Sequence, residues 1–154
     1  VVIYFEAVDL PELWDFFTAL PTTVVVDHMG RPDVSKPIDG PEFQLFVKFM
    51  REHNNVWSKV SCPERLSVTG PKALNGETNA YQDVVPFAKY IVENFPDRVL
   101  WGTDWPHPNL KDHMPDDGLL VDWIPHIAPT PELQKKLLVD NPMRLYWPEE
   151  TNQK

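Results

Sequence analysis

Thr22-Thr23-Val24-Val25-Val26-Asp27-His28-Met29-Gly30-Arg31-Pro32 decides the architecture. A β-branched run without polar alternation reads as a strand covered on both faces, the habit of a parallel sheet flanked by helices. The abrupt change to His, Gly, Arg and Pro marks the strand's C-terminal end. The same couplet recurs on either side. Upstream lies Val1-Val2-Ile3-Tyr4-Phe5. Downstream, Val56-Trp57-Ser58-Lys59-Val60-Ser61 leads into Cys62-Pro63-Glu64-Arg65, and Val99-Leu100-Trp101-Gly102-Thr103-Asp104 into Trp105-Pro106-His107-Pro108.

Helical patterns fill the intervals. Asp9 stands as a cap before Pro11 and Glu12, with Leu13, Phe16, Phe17 and Leu20 at helical spacing and Pro21 as the stop. Phe43, Phe46, Val47 and Met50 mark one face of a helix over residues 41–53. Further helices are expected over 80–94, 119–126 and 131–138, with long loops over 66–79 and 105–118. Strand–helix alternation predicts an α/β fold of parallel strands and helical crossovers. Every polar motif follows a strand's C-terminal end, where both a (β/α)₈ barrel and a doubly wound sheet build their sites. A barrel needs about 250 residues, and the chain of 154 opens directly in a strand. The expectation is one incomplete domain, residues 1–154, whose open edges invite aggregation, self-association or pairing with a complementary half.

Composition narrows the partners. A net charge of −9 disfavours nucleic acid and anionic membrane surfaces, so an anionic small molecule must be met by a few focused arginines. Cys62 is the only cysteine, which rules out an internal disulfide and suits a reducing, cytoplasmic compartment. Neither a leader nor an apolar run of about 18 residues is evident.

Asp104 is the foremost chemical candidate. Between Trp101 and Trp105 it would be partly desolvated, which raises a carboxylate's pKa and strengthens it as a base toward water; capping a loop or pairing with His107 is the plain alternative. His28, released by the turn at Gly30, can polarise a carbonyl or bind a metal, or serve as a satisfied structural imidazole. Arg31 and Arg65 sit on Pro-stiffened loops suited to bidentate capture of carboxylates, or to surface pairing. Tyr4 offers a phenol donor or a core ring. His107 and His113, with Asp104, Asp112, Asp116 and Asp117, match no standard ligand spacing, and Cys62 reads as a small apolar residue. No metal or other cofactor is expected.

Three segments, Asp27-His28-Met29-Gly30-Arg31-Pro32, Cys62-Pro63-Glu64-Arg65-Leu66 and Trp101-Gly102-Thr103-Asp104-Trp105-Pro106-His107-Pro108, resemble the metal-independent lactonases of the amidohydrolase superfamily. The resemblance runs from Val1 to about Glu150, and Asn141-Pro142-Met143-Arg144-Leu145-Tyr146 is similar to the superfamily's closing, mostly structural motif. It implies the C-terminal half of a TIM-type barrel and hydrolytic opening of a carboxylate-bearing lactone such as a pyrone dicarboxylate, in breakdown of lignin-derived aromatics. By this resemblance Asp104 is the general base, His28 stabilises charge at the lactone carbonyl, Arg31 and Arg65 bind carboxylates, and Tyr4 lines the pocket. The strands become the fourth, fifth, sixth and eighth, with a seventh before Ala80. The superfamily's first-strand His-x-His is not in this sequence, so the chain alone is expected to be inactive. A metal-dependent amidohydrolase or decarboxylase of aromatic acids, and a non-catalytic module built on the same barrel, stand as alternatives.

Overall fold

The computed structural model describes residues 1–71, 80–111 and 114–151. Four parallel strands, β1 (Val2–Ile3), β2 (Val24–Val26), β3 (Val56–Lys59) and β4 (Val99–Leu100), form one sheet in the order β1-β2-β3-β4. Val2 pairs with Val25, Val25 with Trp57 and Ser58 with Val99. Each strand lies beside the next one in sequence. A doubly wound sheet reverses its order at a switch point; this sheet has none, and it is a segment of a (β/α)₈ barrel.

The helices are α1 (Leu10–Thr18), α2 (Pro41–Glu52), the single turn α3 (Pro63–Leu66), α4 (Val85–Asn94), α5 (Asp117–Asp122), α6 (Ile124–Ile127) and α7 (Pro131–Lys135). A π-helical turn, Lys136–Asp140, continues into α8 (Asn141–Tyr146), and α9 (Pro148–Thr151) follows. Strand side chains alternate between two faces. Val24, Val26, Val56 and Val99 point to the helical layer, where they meet Phe43, Phe46 and Phe49 of α2 and Phe87 and Ile91 of α4. Val25, Trp57 and Leu100 point the other way and form a separate small cluster with Leu145. That second face is the inner surface of the barrel. Each fully buried Phe or Leu in the outer layer contributes about 1.5–3 kcal/mol, so the helical side carries most of the stability.

Two polar side chains tie the frame together. The Arg98 guanidinium donates to the carbonyls of Met50, His53 and Val56 at 2.8, 3.1 and 2.5 Å, satisfying the open end of α2. Asn141 Nδ2, fully buried, donates to the carbonyls of Pro96 and Val99 at 2.8 and 2.9 Å and so locks α8 to β4.

Several expectations are corrected. The regular strands are shorter than the apolar runs, because the chain leaves the ladder as it nears the rim. Asp9 occupies the cap position of α1, but its side chain makes no capping bond, and the helix stops at Thr18, short of Pro21. The helix expected from Ala80 starts at Val85. The closing segment is broken into short turns by Pro125, Pro131 and Pro142. β3 pairs directly with β4, so among the described residues no strand lies between them; residues 72–79, part of the expected location of an extra strand, lie outside the described residues. Among the described residues no helix is long and apolar enough to cross a membrane.

Candidate active site

At the C-terminal rim the chain turns sharply after each of three strands. His28, Cys62 and Asp104 take left-handed φ values of 51°, 64° and 63°. Left-handed backbone costs an L-residue about 1–2 kcal/mol, so surrounding packing must hold it. After β2 the whole run His28, Met29, Gly30 and Arg31 is left-handed. Met29 anchors it in the core, and Gly30 is required: a Cβ there would stand 3.0 Å from the Phe5 ring and 3.1 Å from that of Phe46. These turns swing the three side chains together.

Asp104 is the centre. Its Oδ1 lies 3.6 Å from His28 Nε2, and its Oδ2 lies 3.6 Å from Arg65 Nη1 and 3.4 Å from Cys62 Sγ, which donates to it. Burial, with the nearby carboxylates of Glu64 and Asp104, pushes the Cys62 thiol far up, so it stays protonated as a donor. Burial also holds the His28 imidazole below its ordinary value, against the pull of Asp104 and Asp27. His28 Nδ1 is 2.9 Å from Ser61 Oγ, which fixes the plane of the ring. A cavity of about 250 Å³ opens here, lined by His28, Ser61, Trp101, Gly102 and Asp104. Inside it Lys59 pairs with Asp27 at 2.7 Å.

A second cavity, about 210 Å³, lies beside the first and is lined by Glu6, Arg31, Lys36, Glu42 and Arg65. Arg65 faces both Asp104 and this space. Arg31 Nε donates to Glu6 Oε2 and the Tyr4 hydroxyl to Glu6 Oε1, both at 2.9 Å. Burial opposes ionisation of Glu6, but these two bonds hold its carboxyl below the usual range. Tyr4 is half exposed, which removes the core-ring alternative, and its ring lies edge-on to His28 at 6.2 Å.

The structure thus gathers Asp104, His28 and Arg65 at one point and places Tyr4 and Arg31 next to it. It corrects three readings. Trp105 is 75% exposed and forms no wall beside Asp104. Cys62 is more than an apolar filler. Asp104 and His107 do not pair through side chains: the His107 N–H donates to the Asp104 carbonyl at 2.8 Å. The His107 ring meets Glu64 Oε1 at 3.3 Å and Asp117 Oδ1 at 2.9 Å instead. His113 and Asp112 lie outside the described residues. Sequence reading missed Ser61, Cys62, Glu6 and Glu64, and for the first two position at a strand's end was the available signal.

No metal was expected, yet one ligand atom each from His28, Cys62 and Asp104 lies within 4.8 Å of the others, so these three can converge on one ion. Nitrogen, sulfur and oxygen donors suit zinc.

Residues 1–147 match the family model described as amidohydrolase. The chain is 89% identical over 150 residues to a 2-pyrone-4,6-dicarboxylate hydrolase of Comamonas testosteroni, covering 97% of this chain and 49% of the relative. It is 37% identical over 148 residues to a 4-sulfomuconolactone hydrolase of Hydrogenophaga intermedia, covering 95% and 46%. A solved structure from Acinetobacter baumannii, assigned as a 2-pyrone-4,6-dicarboxylic acid hydrolase with citric acid bound, superposes with a TM-score of 0.73 at 25% identity, over 94% of this chain and 51% of that one. The chain spans about half the length of the curated relatives it matches.

Proposed function

The chain belongs to the amidohydrolase family, and from that premise we propose that it carries the water-activating part of a hydrolase that opens the lactone ring of 2-pyrone-4,6-dicarboxylate. One observation carries the proposal: a carboxylate, an imidazole and a guanidinium from three strand ends meet within 3.6 Å. The Asp104 carboxylate takes a proton from water as the water oxygen attacks the lactone carbonyl carbon. Negative charge grows on the carbonyl oxygen. In the tautomer that carries its proton on Nε2, the nitrogen facing Asp104, His28 accepts from Ser61 at Nδ1 and can donate to that oxygen. The ring C–O bond then breaks, its electron pair leaves on the ring oxygen, and protonated Asp104 returns the proton. The product is an open-chain oxo/enol tricarboxylate. Arg65 and Arg31 hold the ring carboxylates, and Tyr4, which is in the lining of neither cavity, supports their end of the site through its bond to Glu6. The names of the two relatives, both lactone hydrolases or muconolactone hydrolases, and the tricarboxylate held by the Acinetobacter protein, support this substrate class.

The remaining barrel strands are needed for turnover, so residues 1–154 form an incomplete domain that is inactive alone. The setting is cytoplasmic catabolism of lignin-derived aromatic acids, with Cys62 kept as a free thiol. In the complete polypeptide, Asp104→Asn lowers kcat by about 10²–10⁴-fold while carboxylate-ligand affinity persists. Unchanged turnover would sink the enzyme reading in favour of a binding module. Turnover by the isolated chain near the complete enzyme's rate would refute the incompleteness.

The His28, Cys62 and Asp104 triplet carries a second reading, a metal-dependent hydrolase or decarboxylase of aromatic acids. A divalent ion there would polarise a carbonyl as a Lewis acid. Metal content and chelation separate the two. Stoichiometric zinc or manganese with activity lost on chelation favours the second, and turnover indifferent to chelators favours the first.

A further inference from the structure

The buried pair Glu64 and His107 lines neither cavity, yet it touches the frame of the candidate base. We propose that Glu64 and His107 act as one positioning couple, which fixes the loop carrying Asp104 and thereby aims its carboxylate. The inference rests on the reading of Asp104 as a base.

The geometry runs as a short lever. Asp104 and His107 both hold left-handed backbone, with φ of 63° and 58°, and the His107 N–H closes the turn on the Asp104 carbonyl at 2.8 Å. Such a turn persists only if something outside it holds both ends. The His107 ring is that hold. Its side chain is 1% exposed and meets the Glu64 side chain, 0% exposed, at 3.3 Å, while its other nitrogen reaches Asp117 Oδ1 at 2.9 Å. Asp117 begins α5, so the imidazole pins the loop between two elements.

Glu64 is the informative partner because of its neighbours. On one helical turn, Glu64 grips His107 while Arg65 reaches Asp104 Oδ2 at 3.6 Å, and Cys62, just before that turn, donates to the same oxygen. The β3 corner therefore holds the β4 loop at its base and at its tip. Release of the base lets the carboxylate drift relative to His28. A displacement near 1 Å is enough to cost about 10²-fold in rate, while the arginines that hold substrate keep their places.

The test uses the complete polypeptide. Glu64→Ala and His107→Ala are each expected to lower kcat by about 10–100-fold with KM within about twofold, and the double variant to be no worse than the poorer single one, since coupled residues are not additive. His107→Asn keeps a donor where Nδ1 stood and should regain much of kcat; His107→Gln, whose donor reaches only toward Asp117, should regain less. Should the alanine variants fail to fold, Glu64→Gln, His107→Asn and His107→Gln give the same ordering. Wild-type kcat in these variants, a loss confined to KM, or additive losses would overturn the couple. Full turnover in Asp104→Asn would instead remove the base reading beneath it.

Discussion

Replacing Asn141 by Ala strips two donors from the joint between α8 and β4. The carbonyls of Pro96 and Val99, which Asn141 Nδ2 reaches at 2.8 and 2.9 Å, would lose their partner. An unmade buried hydrogen bond costs about 1–3 kcal/mol, so the two together cost about 2–6. Against this, Asn141 Oδ1 is itself buried without a partner, and its removal returns about 1–3 kcal/mol. The difference centres on about 2 kcal/mol, a fall in Tm of no more than about 4–8 °C in the larger complete polypeptide. Urea unfolding followed by tryptophan fluorescence measures it, with the m-value expected to stay constant. Asn141→Asp serves as the control: it keeps the shape, donates nothing and buries a charge, so its loss should be larger. A loss below about 0.5 kcal/mol in Asn141→Ala, or greater stability in Asn141→Asp than in Asn141→Ala, would refute the joint's importance.

Other expectations concern the site in the complete polypeptide. Ser61→Ala frees the His28 ring from its 2.9 Å partner and should cut kcat about 10-fold, the equivalent of about 1.4 kcal/mol, with KM little changed; intact kcat would show that the ring needs no such support. Glu6→Ala releases both Tyr4 and Arg31 and should raise KM about 3–10-fold, a modest effect because Glu6 is half exposed to water; a change in kcat alone would contradict it. Burial holds His28 below its ordinary 6.5, so the unfolded chain takes up a proton that the folded one resists. Stability from this group is present above pH 6.5 and falls, by at most about 1.4 kcal/mol per pH unit, as pH drops through that value. Urea midpoints measured from pH 7.5 down to 5.5 should fall more steeply for wild type than for His28→Gln, and parallel curves would refute the idea.

Much of the frame was legible because its signals are local. Val24, Val25 and Val26 are buried on both faces, and Phe43, Phe46, Val47 and Met50 share a helical face, as their spacing required. The convergence of Asp104, His28 and Arg65 was foreseeable because each follows a strand's end, and parallel strands bring such ends to one rim. The rest depends on contacts between residues far apart in the chain. Cys62 meets Asp104 across 42 residues, Glu64 meets His107 across 43, and Ser61 meets His28 across 33. No periodicity encodes those. Strand lengths were overread for a related reason: near the rim, apolar residues such as Trp101 stay packed while the backbone has already left the ladder. Trp105 was misjudged because adjacency in sequence says nothing about direction after a left-handed residue.

The plain sequential order of the strands has a consequence for biosynthesis. As the chain leaves the ribosome, each new strand can zip onto the one made just before it, with no wait for a distant partner. Tyr4, Arg31 and Arg65 emerge before Asp104. On the proposed reading of the site, a nascent chain therefore makes the groups assigned to gripping an anion before it makes the one assigned to activating water.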